Sequence, residues 1–263
     1  MAKLIDIANA INERIPFDLK EDFDNVGLLV GDENAEITRV LFALDITDSI
    51  INEAKEMGCE LIVSHHPVIR KDTQINAVKN DFSPEGRVFR LIKNGIAAIC
   101  LHTNLDSVQG GVNDILATAC GLSDVHPIIC KNGEPKIGLG RIGELEKPLS
   151  LQMFARDVKE NLHGTYVLIH DAGLPVKKVA VMGGSLPTMI YEAKAAGCDT
   201  FVTGEMKHNF HVEAADLKIN LVIAGHHFTE DPSLVLPMSV IKEKFPGIEL
   251  IKSTLLDNVI TTI

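Results

Sequence analysis

The sequence contains no C-x-x-C pair, and its five cysteines (Cys59, Cys100, Cys120, Cys130 and Cys198) are an odd number. Neither a disulfide framework nor a thiolate metal knuckle is expected. Several of these cysteines sit in apolar or helix-end contexts, as reduced core residues do. Basic residues are also in short supply: 25 Lys and Arg stand against 36 Asp and Glu, a net charge of −11. That balance disfavours an extended nucleic-acid surface, which needs clustered cations. A single nucleotide stays compatible, because a bound cation offsets local phosphate charge. No apolar run approaches the roughly eighteen residues needed to span a bilayer. Met1-Ala2-Lys3 leads straight into an amphipathic pattern and not into a signal peptide. The expectation is a soluble protein of a reducing cytoplasm with no membrane partner. The 263 residues, 46% hydrophobic and 23% charged, suffice for one large domain or two of ordinary size.

What the chain does contain is an alternation of helical and strand patterns. Leu4 to Ile15 has helical spacing and stops at Pro16. Val40 to Ile46 reads as a strand, Ser49 to Met57 as a helix stopped by Gly58, and Leu61 to Ser64 as a strand. A helix over Val88 to Lys93, a strand over Ile96 to Leu101 and a helix over Val112 to Cys120 follow. Beyond them the pattern predicts a strand near Ile137 to Ile142 and a helix over Leu151 to Leu162. Strands near Tyr166 and Val179 precede a helix over Met189 to Ala196 and a strand at Phe201. A helix from Val212, a strand over Leu221 to Ala224, a helix after Pro232 and a strand over Ile248 to Ile251 complete the chain. This is an α/β pattern with largely parallel pairing expected inside each half.

The two halves also resemble each other. Glu53-Ala54-Lys55-Glu56-Met57-Gly58-Cys59-Glu60 and Glu192-Ala193-Lys194-Ala195-Ala196-Gly197-Cys198-Asp199 each read as a helix end, a glycine stop, a cysteine and an acid before a strand. Each is followed by another helix and a strand that breaks into His-x-x-x-acid: His102 to Asp106, and His226 to Glu230. Internal duplication into two similar α/β domains follows. The first is longer between its landmarks, around Arg70 to Arg87. We place the first domain at 1–125, rejoined by about 226–263, and the second at 126–225.

The chemistry-bearing residues collect where buried strands surface. Leu61-Ile62-Val63-Ser64 breaks into His65-His66 and is stopped by Pro67. Loops at the carboxyl ends of parallel strands converge over one crevice. A four-residue spacing puts imidazole and carboxylate on one side of a helical turn. Each pair alone equally fits a capped strand end. Taken jointly, imidazoles and carboxylates without thiolates suit Zn, Fe, Mn or Co. Two acids among at least three histidines is also an inventory for two metals, which a carboxylate bridges at about 3.5–4 Å. Val181-Met182-Gly183-Gly184-Ser185 fits either an anion-holding loop or a tight packed turn, and it lacks the lysine of a P-loop. Thr203-Gly204-Glu205 with His208 stands where the first half has its His-His pair. His126, His163 and His170 stand alone, and no serine or cysteine nucleophile is supported.

Together these segments resemble the NIF-three-like dinuclear-metal family, whose members are often called GTP cyclohydrolase 1 type 2 homologues. Phe23-Asp24-Asn25-Val26-Gly27-Leu28-Leu29-Val30-Gly31 looks like the family's N-terminal signature. Ser64-His65-His66-Pro67, Leu101 to Asp106, Gly183-Gly184-Ser185, Thr203-Gly204-Glu205 and Ala224 to Glu230 continue it in order. The resemblance implies two α/β domains with a two-metal site in the cleft between them, and a ring-shaped homohexamer. It implies His65, His66, Asp106, His226 and Glu230 as ligands, with Asp106 and Glu230 bridging. His102 is implied as a ligand or a close neighbour of the ligands, and His227 ranks below His226. The function expected is that of a metal-dependent hydrolase acting on a small nucleotide-like or phosphoester substrate, with His102 or Glu205 moving the proton. The alternative is a metal chaperone, buffer or insertion factor using the same site without turnover; a third reading is a scaffold with structural metal.

Overall fold

The computed structural model describes residues 2–72, 75, 77–257, 259 and 260. The chain forms two compact units: Met1–Leu105 with Leu234–Val259, and Asp106–Ser233. The boundary drawn from sequence at 125/126 thus falls inside the second unit.

The first unit is built on a five-stranded sheet in the order Glu249–Lys252, Arg39–Ala43, Leu61–Ser64, Ala97–Cys100, Gly27–Val30. The first four strands pair in parallel, and Gly27–Val30 closes one edge antiparallel. Parallel pairing requires crossovers, and the helices Asp48–Met57 and Pro84–Lys93 supply them. Leu61–Ser64 and Ala97–Cys100 are buried along their whole length, as strands covered on both faces must be. Ile50, Ile51, Ala54 and Leu91 from the two helices pack with Leu41, Ile62 and Ala98 from the sheet. Thr47 caps the first helix through Oγ1 (3.3 Å to the Ile50 amide), and Ser83 caps the second (3.1 Å to the Gly86 amide).

The second unit carries a six-stranded sheet in the order Leu168–His170, Asn220–Ile223, Thr200–Thr203, Val176–Met182, Arg141–Leu149, Ser123–His126. Only Val176–Met182, Thr200–Thr203 and Asn220–Ile223 run parallel, because only Met189–Ala195 and His208–Leu217 provide helical crossovers. The remaining pairs are antiparallel. The strand expected near Ile137 to Ile142 is two strands interrupted at Gly140: Glu134–Leu139 pairs with Ile129–Lys131 in a separate ribbon, and Arg141 opens the long sheet strand. The Val112–Ala119 helix belongs to this unit because Leu116 and Ala117 pack with Phe154, Val158 and Val179.

The duplication is visible in matching devices. Gly58 and Gly197 both adopt left-handed φ values, 67° and 77°, which end their helices. Cys59 N donates to Ala54 O at 2.8 Å, and Cys198 N donates to Ala193 O at 3.0 Å. Both cysteines turn into the core. Glu60 Oε2 then accepts from the Thr38 and Arg39 amides at 3.0 and 2.8 Å. Asp199 Oδ2 does the same for the Lys177 and Lys178 amides, also at 3.0 and 2.8 Å. In each unit an acid at a strand's start pins the backbone entering the neighbouring strand. Among the described residues no helix is long and apolar enough to cross a membrane.

Candidate functional site

In the first unit, two strand ends deliver three imidazoles to one place. His66 N donates to Leu44 O at 2.9 Å and Ser64 Oγ donates to His66 O at 2.8 Å. These bonds fix the His65-His66 turn before Pro67, which has no amide to continue a ladder. His102 follows the Ala97–Cys100 strand, and the chain then turns into the short helix Thr103–Ser107. The His65, His66 and His102 ring centroids lie 5.0, 5.2 and 5.5 Å apart. One ring nitrogen from each lies within 4.8 Å of the others.

What holds each ring is as informative as where it sits. His65 is fully buried, and its Nδ1 lies 2.8 Å from Leu101 O. A carbonyl only accepts, so Nδ1 carries the proton and a neutral ring keeps its lone pair on Nε2. His66 Nδ1 meets Asp45 Oδ1 at 2.9 Å, and His102 Nδ1 meets Asp24 Oδ1 at 2.8 Å. An oxygen behind Nδ1 is the arrangement that orients metal-ligating histidines. Asp24 is 3% exposed. Burial pushes its carboxyl up, but the His102 ring with the Thr103 hydroxyl and amide outweighs burial, holding the group well below the usual carboxylate range. Cys100 Sγ donates to His65 O at 2.9 Å, and burial raises its thiol well above the ordinary range, so no thiolate enters the set.

In the second unit, His226 and Glu230 lie on the helix His226–Glu230 that follows the Asn220–Ile223 strand. The four-residue spacing does what it predicts: His226 Nε2 is 3.0 Å from Glu230 Oε2. His226 Nδ1 lies 3.2 Å from Glu205 Oε2, so Glu205 stands to His226 as Asp45 and Asp24 stand to His66 and His102. Asp106 and Glu230 are both buried, with carboxylate oxygens within 4.8 Å of each other. The glycine loop after the Val176–Met182 strand is a packed turn and not an anion loop. Gly183 N donates to Asn113 Oδ1 at 3.0 Å and Gly184 N donates to Thr229 Oγ1 at 3.1 Å. Gly184 is needed there: its φ is 63°, and a Cβ would lie 1.9 Å from Glu230 Oε1.

Every residue proposed from sequence as a ligand or proton carrier thus falls in one of two clusters: His65, His66 and His102 in the first unit, and Asp106, Glu205, His226 and Glu230 in the second. His208 stands apart, its ring stacked on His211 at 6.5 Å. Asp24 and Asp45 have no role that the sequence pattern assigns. Asp24 lies inside the N-terminal signature, ahead of the Gly27–Val30 strand, and Asp45 lies just past the end of the Arg39–Ala43 strand, so a strand-end position was a signal for Asp45 alone.

With oriented imidazoles, buried carboxylates and no thiolate, the residues present fit divalent transition metals. The profile of the family described as Duf34/NIF3 (NGG1p interacting factor 3) matches residues 2–258. A Clostridium perfringens protein called GTP cyclohydrolase 1 type 2 homolog is 37% identical over 250 residues, covering 92% of each chain. A Streptomyces coelicolor protein of the same name is 37% identical over 239 residues, covering 88% of this chain and 83% of the relative. The crystal structure of Staphylococcus aureus hypothetical protein SA1388 superposes with a TM-score of 0.90 at 29% identity over 99% of each chain. Reduced HcgD from Methanocaldococcus jannaschii superposes with a TM-score of 0.83 at 27% identity, over 97% of this chain and 98% of that one.

Proposed function

Since the chain belongs to the Duf34/NIF3 family, we propose that it is a metal-dependent hydrolase acting on a small nucleotide-like or phosphoester substrate. The ligands proposed are His65 and His66 in the first unit, and Asp106, His226 and Glu230 in the second. Together they serve two divalent cations per protomer, of the class Zn, Fe, Mn or Co. The observation that carries this is the set of four histidines whose Nδ1 atoms all face oxygen, from Leu101, Asp45, Asp24 and Glu205. Packing histidines need no such uniform orientation; ligating ones do. When bound, the metals supply Lewis acidity and a water acidified toward neutral pH.

The protein's own groups then do the rest. Asp24 fixes His102 through Nδ1 and directs the proton-transfer role to Nε2. Glu205 is the second proton-carrying candidate, and its contact with His226 also holds that ring in place. The name of the curated relatives supports ring C–N hydrolysis alongside phosphoester hydrolysis as the reaction. Homohexameric assembly and a reducing cytoplasm, which the family resemblance and the five free cysteines support, belong to the same proposal.

The test is elemental analysis of the purified protein together with turnover on a panel of phosphoesters and nucleotides. About two metals per protomer and hydrolysis lost in Glu230→Ala are expected. Bound metal that transfers to an apo partner with no turnover on the panel replaces hydrolysis with metal handling. Failure to take up metal on titration overturns both.

A further inference from the structure

The first unit carries a segment that the duplication does not. In the second unit the chain runs from the Thr200–Thr203 strand almost directly into the His208–Leu217 helix. In the first, the matching strand ends at Ser64 and, among the described residues, the next helix begins at Pro84. The start of this extra segment folds back beside the histidines. Asn25 Nδ2 donates to Ile69 O at 2.8 Å, and Lys71 Nζ donates to Asp22 O, stitching the segment to the Phe23-Asp24-Asn25 signature. Between them lies a cavity of about 420 Å³ whose wall includes Phe23, His66, Arg70, Lys71 and His102. That volume lies toward the low end of small-molecule sites, which run to about 300–1,000 Å³.

The wall has two unlike ends. Phe23 is 67% exposed, an aromatic face offered to solvent beside a polar cavity. Arg70 and Lys71 are cations, and Arg70 makes an exposed ion pair with Asp72 at 3.4 Å. Asp24, Asp45 and Asp72 also line the cavity, the first two engaged with histidines and the third with Arg70. An aromatic face suits a flat heterocycle, and a guanidinium with an ammonium suits a phosphate. His66 and His102 lie on the same wall.

We infer that this cavity selects a nucleoside monophosphate, with the base stacked on Phe23 and the phosphate held by Arg70 and Lys71. The inference rests on the hydrolase reading and names the groups that choose its substrate. Its test measures binding of GMP, AMP, guanosine and inorganic phosphate to the metal-loaded full chain by calorimetry. The parent is compared with Phe23→Ala and with the double variant Arg70→Ala/Lys71→Ala; all three residues are exposed, so folding is retained and checked by circular dichroism. Phe23→Ala weakens both monophosphates and guanosine about tenfold. The double variant weakens the monophosphates about tenfold and leaves guanosine unchanged.

No binding of either monophosphate to the parent, or equal affinity in all three proteins, overturns the assignment. Metal content and turnover read on the same samples separate the two ideas. Binding that depends on these three residues without turnover sustains the cavity assignment and sinks hydrolysis. Turnover indifferent to all three does the reverse.

Discussion

Asp24 does its work through four bonds from three residues: His102 Nδ1 and the Asn25 amide, each at 2.8 Å on Oδ1, and the Thr103 amide at 3.0 Å and hydroxyl at 2.5 Å on Oδ2. All four groups donate, so the site needs an acceptor on both oxygens. Asp24→Asn turns an amide NH₂ toward a donor, at a cost of about 1–3 kcal/mol. The pH dependence has a definite sign. A carboxyl held below its ordinary value contributes stability that is complete above about pH 4 and is lost as pH falls from there toward the folded-state value. The melting-temperature gap between parent and Asp24→Asn is therefore largest at neutral pH and narrows below about pH 4. A gap that stays constant down to pH 3 refutes the charge account and leaves only packing. Asp24 also marks a limit of reading sequence. The acid sits 78 residues from the histidine it orients, and Asp45 sits 21 from His66, so no spacing connects either pair. His226 and Glu230 were legible because four residues are one helical turn.

At the scale of elements, one buried ion pair joins a helix to a strand. Arg141 opens the Arg141–Leu149 strand and is 1% exposed. Its Nε and Nη2 meet Asp114 Oδ1 and Oδ2 at 2.5 and 3.0 Å, while Nη1 donates to Gly138 O and Gly140 O. Asp114 lies on the Val112–Ala119 helix and also accepts from Gly110 N at 2.6 Å. Asp114→Ala leaves a buried guanidinium without its counter-charge, an expected loss of about 3–5 kcal/mol. Urea unfolding checks this: the midpoint drops with the slope unchanged. A loss under about 1 kcal/mol assigns the pair the modest weight of a surface bridge. The helix itself was legible from apolar spacing, whereas the sheet that covers it was not. Periodicity identifies an apolar face but carries no information on which strands meet it. The strand at Arg141 was blurred for a related reason, since Ile137 to Ile142 is continuously compatible with extended chain and the break at Gly140 leaves no apolar signature.

For the whole molecule, the duplication explains why the two donor sets differ. Both units use the same helix, glycine, buried cysteine and strand, yet the first follows its strand with His65-His66 and the second with Gly204-Glu205. One copy became rich in imidazole and the other in carboxylate. Neither side chain type alone matches the mixed set that dinuclear hydrolytic centres use. If both sets are ligands, metal binds the folded chain and not the unfolded one, and melting must report it. A cation at a hundredfold excess over its Kd adds about 2.7 kcal/mol. For a chain near this size, that raises Tm by about 5–10 °C. A chelator removes the rise. His65→Ala and Asp106→Ala, one from each set, each abolish most of it. His208→Ala keeps it, because His208 stacks on His211 outside both clusters. A rise that survives both ligand substitutions places the metal elsewhere in the molecule and sinks the ligand assignment; a rise lost in only one of them reduces it to the set that carries that residue.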